Sequence, residues 1–359
     1  MAMGNISMRI VKKEPMPWYY NFAVRAVAVV AALIVSAIVI MLLTDKNPIQ
    51  VYSSMISGAF GSNLRVWSLF QNVAILLCIS LAVTPAFKMK FWNIGAEGQV
   101  LVGGLATISV MMFCGDKLPL PILLIVMVVV SDLAGIIWAI LPAVAKALWN
   151  TNETLFTLMM NYVAIQLVAF FLKTFVKNGS GVLTPLPEFG FPILFGQPYL
   201  LNIIIVAVIT VVVYIYLKYT KQGYEISVVG ESENTARYIG INVKKVIVRT
   251  LIVSGALCGI AGLLLVAGTN HTISTTTAGG RGFTAIMVSW LAKFNPVYMI
   301  FTSFLIVFLE KGAMQVSTDF RIPNAISDIV TGIILFFIIG CEFFLQYKIV
   351  VSKKRKEKA

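Results

Sequence analysis

Three polar side chains, Asn93, Glu97 and Gln99, and two glycines, Gly95 and Gly98, stand within seven residues at the head of an uncharged run that extends to residue 115. Carboxamides both donate and accept hydrogen bonds, a carboxylate accepts them, and glycine lets a second backbone come close or a helix break. Two roles fit that chemistry: a helix cap with a packing contact, or a polar lining along which a solute moves. A second polar strip follows at Asn152-Glu153-Thr154, with Thr157, Asn161, Tyr162 and Gln166. Asn161 lies four residues after Thr157 and Gln166 four after Tyr162, which on a helix forms two adjacent strips of one side. That side faces protein or water rather than lipid.

Catalytic chemistry is thin by comparison. The single histidine, His271, falls in an outer loop and reads as a solvated polar residue, and Cys78, Cys114, Cys258 and Cys341 have neither paired nor metal-ligand spacing. No GxSxG, HExxH or CxxC occurs, so neither a nucleophile elbow nor a metal site is spelled out. GxxxxGK[ST] is missing too, so any ATP-driven work needs the ATPase of another chain. No metal and no cofactor is expected in this one.

Composition sets the elements that must position these residues. Of 359 residues 59% are hydrophobic and 12% charged, with a mean hydropathy of +0.90, which is more apolar side chain than a soluble core of that length hides. Runs 26–44, 66–87, 98–115, 154–172, 189–217 and 250–280 carry no Asp, Glu, Lys or Arg. Each is near or above the roughly 18 residues of a spanning helix. These features exclude a soluble enzyme, a disulfide scaffold and a disordered tail. They predict an all-α, polytopic integral membrane protein of about ten transmembrane helices.

The predicted spans are 22–43, 66–84, 97–114, 119–142, 154–172, 199–217, 247–268, 283–292, 297–313 and 325–347. They make one transmembrane domain over 22–348, between a cytoplasmic tail 1–21 and a cytoplasmic basic tail 349–359. Most of the 28 Lys and Arg, with Lys88, Lys90, Lys146, Lys218, Lys221 and Lys293 among them, then fall on one side. The net charge of +13 is therefore a positive-inside bias and not a footprint for nucleic acid, with both termini cytoplasmic and the first span an uncleaved anchor. Lys353-Lys354-Arg355-Lys356 reads as a topology anchor ahead of a contact with membrane lipid.

Charges left at membrane depth cost about 2.5–3.5 kcal/mol each and need a reason. Asp132 is expected to hydrogen-bond a neighbouring helix, and Asp328 to favour the start of the last helix through its dipole. Glu310 and Lys311, adjacent and so pointing apart, are expected at the outer interface. Ala278-Gly279-Gly280-Arg281-Gly282-Phe283 is followed by uncharged residues only as far as Lys293, then Asn295-Pro296. Such a stretch suits a half-helix whose N-terminus faces a cavity, or a tight loop into a short span. Gly255, Gly259 and Gly262 read as close helix packing. The inner loop 218–246 holds Glu231, Glu233, Arg237 and a Gly240 stop, which describes a short amphipathic helix on the cytoplasmic face. That helix is either a solvated connector or a docking element for a cytosolic partner.

Taken in order, four stretches carry a resemblance: Asn93-Ile94-Gly95-Ala96-Glu97-Gly98-Gln99; Asn152-Glu153-Thr154 with Thr157-Leu158-Met159-Met160-Asn161-Tyr162; the loop 230–241; and Gly282-Phe283-Thr284-Ala285-Ile286 with Asn295-Pro296. Together they resemble the permease subunits of bacterial ABC importers of the branched-chain amino acid, ribose and nucleoside type, the nucleoside branch above all. The resemblance implies a multi-pass subunit of the bacterial cell (inner) membrane, paired with a second, non-identical permease. It also implies a cytosolic ABC ATPase that binds ATP and Mg, and an extracytoplasmic solute-binding lipoprotein. By position the loop 230–241 matches the family's coupling helix, with Glu231, Asn234, Ala236, Arg237 and Gly240 as contacts or shape determinants for the ATPase groove. Asn93, Glu97, Gln99, Asn161 and Phe283 become the candidates for the solute path. The expected solute is a purine nucleoside, stacked on faces such as Phe283 and bonded by Asn and Gln. A permease for a simple sugar such as ribose, and a stand-alone ion-coupled secondary transporter, are the alternatives.

Overall fold

The computed structural model describes residues 6–13, 17–44, 47–176 and 183–353. Its helices follow the uncharged runs: α1 Trp18–Thr44, α2 Pro48–Phe60, α3 Asn63–Lys88, α4 Ala96–Cys114, α5 Leu120–Trp149, α6 Glu153–Phe175, α7 Leu200–Tyr219, α8 Lys221–Glu231, α9 Glu233–Tyr238, α10 Val243–Leu265, α11 Arg281–Leu291, α12 Pro296–Phe320 and α13 Asn324–Gln346. Among the described residues seven helices, α3 to α7, α10 and α12, are long and apolar enough to cross a membrane. Shorter apolar stretches, Ala26–Leu42 and Ile329–Leu345, lie within α1 and α13. The predicted span 283–292 is the 11-residue α11, too short to cross alone. The helix expected inside 218–246 is two helices, broken at the extended Ser232.

The chain forms two compact units, Val66–Val307 and the paired ends Met1–Arg65 with Phe308–Ala359. Within Val66–Val307, α3 is buried almost without a gap from Leu69 to Phe87, as a helix apolar on every side must be. α10 packs against α4 and α5 through glycines: a Cβ on Gly103 would lie 2.7 Å from the Gly259 Cα, and one on Gly259 would strike the Ser131 carbonyl. Gly255, Gly259 and Gly262 therefore do serve close packing. Asp132, on that seam, departs from expectation. Its Oδ1 is buried with no hydrogen-bond partner among the described residues, because small residues fill the facing surface of α10. The α5–α6 corner is set by Asn150 in a left-handed conformation, by Asn152, whose side chain accepts from Leu155 N, and by Glu153, which pairs with Lys146 at 3.0 Å.

Past α10 the chain widens into a π-turn over Val266–Asn270, closed by the His271 N–H on the Val266 carbonyl at 2.8 Å. Asn202 of α7 donates to the Gly268 carbonyl at 3.2 Å and to Gln71 at 3.1 Å, and Gln71 donates to Thr269. His271 is not the solvated residue expected. It is half-buried against Gly190, under a segment whose Leu186 N–H donates to its carbonyl at 2.7 Å, and burial holds its pKa below the ordinary 6.5.

In the other unit α1 packs on α13, and α2 lies against the last turns of α12, where Met55 meets Gly312 and the Ser54 hydroxyl donates to Asp319. α12 continues to Phe320, and Glu310 and Lys311 are half-buried before its end. Asp328 falls one turn inside α13, which begins at Asn324; its side chain, like residues 354–359, lies outside the described part. The two segments expected as tails carry strands. β1, Ile6–Lys12, pairs antiparallel with β2, Tyr347–Lys353, Ile6 opposite Lys353 and Lys12 opposite Tyr347. Paired strands stand only about 5 Å apart, so a bilayer core of about 30 Å cannot separate the two ends.

Candidate functional site

After α3 the backbone doubles back, with Lys90 left-handed and the Phe91 N–H on the Ala86 carbonyl, and delivers the 93–99 motif to the start of α4. Asn93 closes a local turn by accepting from Gly95 N at 3.1 Å, and its amide donates to Ser254 of α10 at 3.4 Å. Gln99 donates to Asn93 at 3.5 Å. Asn161 of α6 brackets the same turn: Oδ1 accepts from Gly98 N at 2.8 Å and Nδ2 donates to the Ile94 carbonyl at 3.0 Å. Thr157, one turn earlier, accepts from Ile94 N at 3.2 Å. The polar strip of α6 thus supplies the hydrogen bonds that the first turn of α4 lacks.

Glu97 repeats the arrangement toward α11. Its two carboxylate oxygens accept from Gly280 N and Gly282 N, each at 2.7 Å, which seats the N-terminus of α11 on a buried anion where the helix dipole favours one. Glu97 is only 8% exposed. Gly282 must be glycine, because a Cβ there would lie 2.5 Å from the Glu97 backbone nitrogen. Arg281 turns outward from this contact and donates to Asn72 of α3 at 2.7 Å, and farther along α11 Ser289 donates to the Ser80 carbonyl at 3.0 Å.

Four of the five path candidates, Asn93, Glu97, Gln99 and Asn161, are therefore together, buried and engaged with protein atoms. Phe283, the fifth, is 45% exposed and shares its open face of α11 with Met287 and Trp290. Trp92 joins them, its ring 5.4 Å from that of Trp290. Trp92 heads the polar segment that the sequence marks, whereas Trp290 was not singled out, although it follows the Gly282–Ile286 stretch. Gln71, Asn72 and Asn202 also went unnoticed; the carboxamides in otherwise apolar runs were their signal.

The coupling candidates form a second surface. Ser232 caps α9 by accepting from Thr235 N at 3.2 Å, and Gly240, at φ +83°, turns the chain away after it. Glu231, Asn234, Arg237 and Gly240 are exposed, with Tyr238 projecting among them at 92% exposure. Ala236 faces the other way. It is fully buried in an apolar cluster with Ile226 and Val229 of α8, Met89 and Phe91 before the 93–99 motif, and Val243 and Val246 of α10. Glu225 ties α8 to α10 through Arg249 at 2.6 Å. Among the described residues no group of three or more His, Cys, Asp or Glu stands close enough to hold a metal ion.

Two helix starts are thus sealed by side chains inside an apolar bundle, with an aromatic face left open beside them. Over residues 65–339 the chain matches the family described as branched-chain amino acid transport system / permease component, and it belongs to that family. It is thus an integral membrane permease component of an ABC transporter, a transport subunit and not an enzyme. Relatives include the glucose ABC transporter permease protein TsgB13 of Haloferax volcanii, 27% identical over 98% of this chain and 96% of the relative. The guanosine ABC transporter permease protein NupP of Bacillus subtilis is 27% identical over 94% of this chain and 98% of the relative. The nucleoside ABC transporter permease protein NupB of Lactococcus lactis is 26% identical over 92% and 93%. No solved structure matches the chain.

Proposed function

We propose that the chain is the permease of a bacterial ABC importer whose solute is a nucleoside, a purine nucleoside first. The observation that carries this reading is α11, a half-helix whose N-terminus is pinned by Glu97 and whose Phe283, Met287 and Trp290 lie open. Irregular backbone at membrane depth is tolerated only beside protein or a water-filled cavity. In this reading the open face of α11 borders the solute path or a second permease. Aromatic faces suit a purine ring. Behind that face Glu97 holds the α11 backbone, and Asn93, Gln99 and Asn161 hold the start of α4 that carries Glu97. The relatives named for guanosine and nucleosides favour the same solute class, and the relative named for glucose favours a sugar as the second reading. Family membership sets the stand-alone ion-coupled transporter aside.

In this reading the cytosolic ATPase, which binds ATP and Mg, docks on the end of α8 at Glu231 and on α9 at Asn234, Arg237 and Tyr238, with Gly240 shaping the turn and Ala236 anchoring it. A second, non-identical permease completes the path, and a solute-binding lipoprotein delivers from outside. The chain lies in the cell (inner) membrane with both termini cytoplasmic, and crosses about ten times, the eighth crossing shared by the leg before α11 and α11 itself. The test is uptake of labelled guanosine by cells lacking this chain and by the same cells with it restored, challenged with excess ribose, glucose and branched-chain amino acids. Loss and rescue competed only by nucleosides is expected. Competition by sugar alone would transfer the assignment to sugars.

A further inference from the structure

Where α3 and α7 end, a cleft of about 470 Å³ opens between their last turns, the first turn of α8 and the turn joining α11 to α12. Lys88, Lys218 and Lys293 line it, and no carboxylate is among its described lining residues. Three cations focused in one concavity with no described carboxylate in its wall make an anion site. Lys218 is held in place by donating to the Tyr214 hydroxyl at 2.9 Å.

The setting decides which anion. The cleft lies at the C-terminal ends of two membrane-crossing helices, with Tyr214 and Tyr224 in its wall, the amphipathic residue type of the headgroup level. Along α7 from the cleft, Val208, Val211, Val212 and Ile215 are exposed. A headgroup in the cleft thus has an apolar track for its acyl chains. We propose that this cleft binds the phosphate headgroup of an anionic phospholipid. So bound, the lipid ties α8, next to the α9 surface, to the turn that carries the far end of α11. The proposal needs only membrane residence and is independent of the solute.

The test uses the purified full-length chain in detergent and compares binding of fluorescent phosphatidylglycerol and phosphatidylcholine. The wild type is expected to prefer phosphatidylglycerol at least tenfold, the Lys88→Gln/Lys218→Gln/Lys293→Gln variant to lose that preference, and the corresponding triple Arg variant to keep it. If the triple Gln variant cannot be isolated, Lys293→Gln carries the test, with about a fivefold loss expected. Neutralising Lys353, Lys354, Arg355 and Lys356 is expected to leave the preference intact. Retained preference in the Gln variants, or its loss on neutralising the tail, overturns the site. Displacement of the lipid by millimolar inorganic phosphate overturns the lipid assignment in favour of a soluble phosphate.

Discussion

Glu97 accepts two backbone N–H groups at the head of α11, while Asn161 holds the helix start that carries Glu97 itself. Hydrogen bonds to a charged group contribute about 1.5–3 kcal/mol each, so Glu97→Gln, which turns a donor toward a donor, is expected to unseat α11. Uptake should fall at least tenfold in maximal rate at an unchanged half-saturating concentration, with the variant present in the membrane at the wild-type level. A raised half-saturating concentration at full maximal rate would instead make Glu97 a solute contact. The 93–99 motif was legible because polar residues stand out against apolar ones. What they bond was not, since Gly280 and Gly282 lie 183 and 185 residues away from Glu97 in the chain. His271 was misread for a related reason: nothing local announces the segment that covers it. Its pKa is lowered, so the unfolded chain takes up the proton more readily, and stability is expected to drop as pH falls through about 6.5. Thermal unfolding of the purified chain between pH 8 and 5 should show a shallower loss for His271→Gln, and equal slopes would remove His271 as the cause.

At the scale of elements, α9 is joined to α11 through packed parts. Ala236 shares its apolar cluster with Met89 and Phe91, Gly230 lies so close to the Lys88 carbonyl that no Cβ fits, and the same turn leads to Glu97. A push on α9 therefore reaches the half-helix through side chains packed without slack. The Arg237 to Glu233 pair is exposed and one helical turn apart, so breaking it costs only about 0.3–0.5 kcal/mol. Arg237→Glu is thus expected to leave insertion and stability unchanged while ATP-coupled uptake falls at least tenfold. Gly240→Val, in a left-handed turn with open space around it, should also lower ATP-coupled uptake, at a cost of about 1–2 kcal/mol of backbone strain. Wild-type uptake by both variants would dismiss the docking surface. The existence of this element was legible from its charges and glycine stop, and the long helices from their uncharged runs. Its division at Ser232 was not, because a serine followed by an acid is compatible with a continuing helix or a new cap. α2 was missed because Gln50, Ser53, Ser54 and Ser57 dilute its apolar face below what a spanning pattern requires.

For the whole molecule, the pairing of β1 with β2 constrains the count of crossings. Ends that share one side require an even number, yet among the described residues the apolar helical stretches number seven long and two short, which makes nine. α2 does not supply the missing one in the proposed threading, since α1 ends and α3 begins on the same side of it. The remaining segment is the leg 273–280 with α11. Eleven helical residues rise about 16 Å, half of a bilayer core, and the leg, folded into two turns closed by the Thr277 N–H on the Ser274 carbonyl and the Arg281 N–H on the Ala278 carbonyl at 3.1 Å each, has to supply the rest. Unlike a continuous helix, such a crossing leaves free N–H groups at its midpoint, and Glu97 accepts two of them. Single cysteines placed at Thr276, Lys293 and Lys13 of a chain whose four native cysteines are replaced, probed with a membrane-impermeant maleimide in vesicles of either orientation, test the argument. Thr276→Cys is expected to label from one side, and Lys293→Cys and Lys13→Cys from the other. Labelling of Thr276→Cys and Lys293→Cys from the same side would make α11 a re-entrant hairpin, leave nine crossings, and contradict the strand pairing.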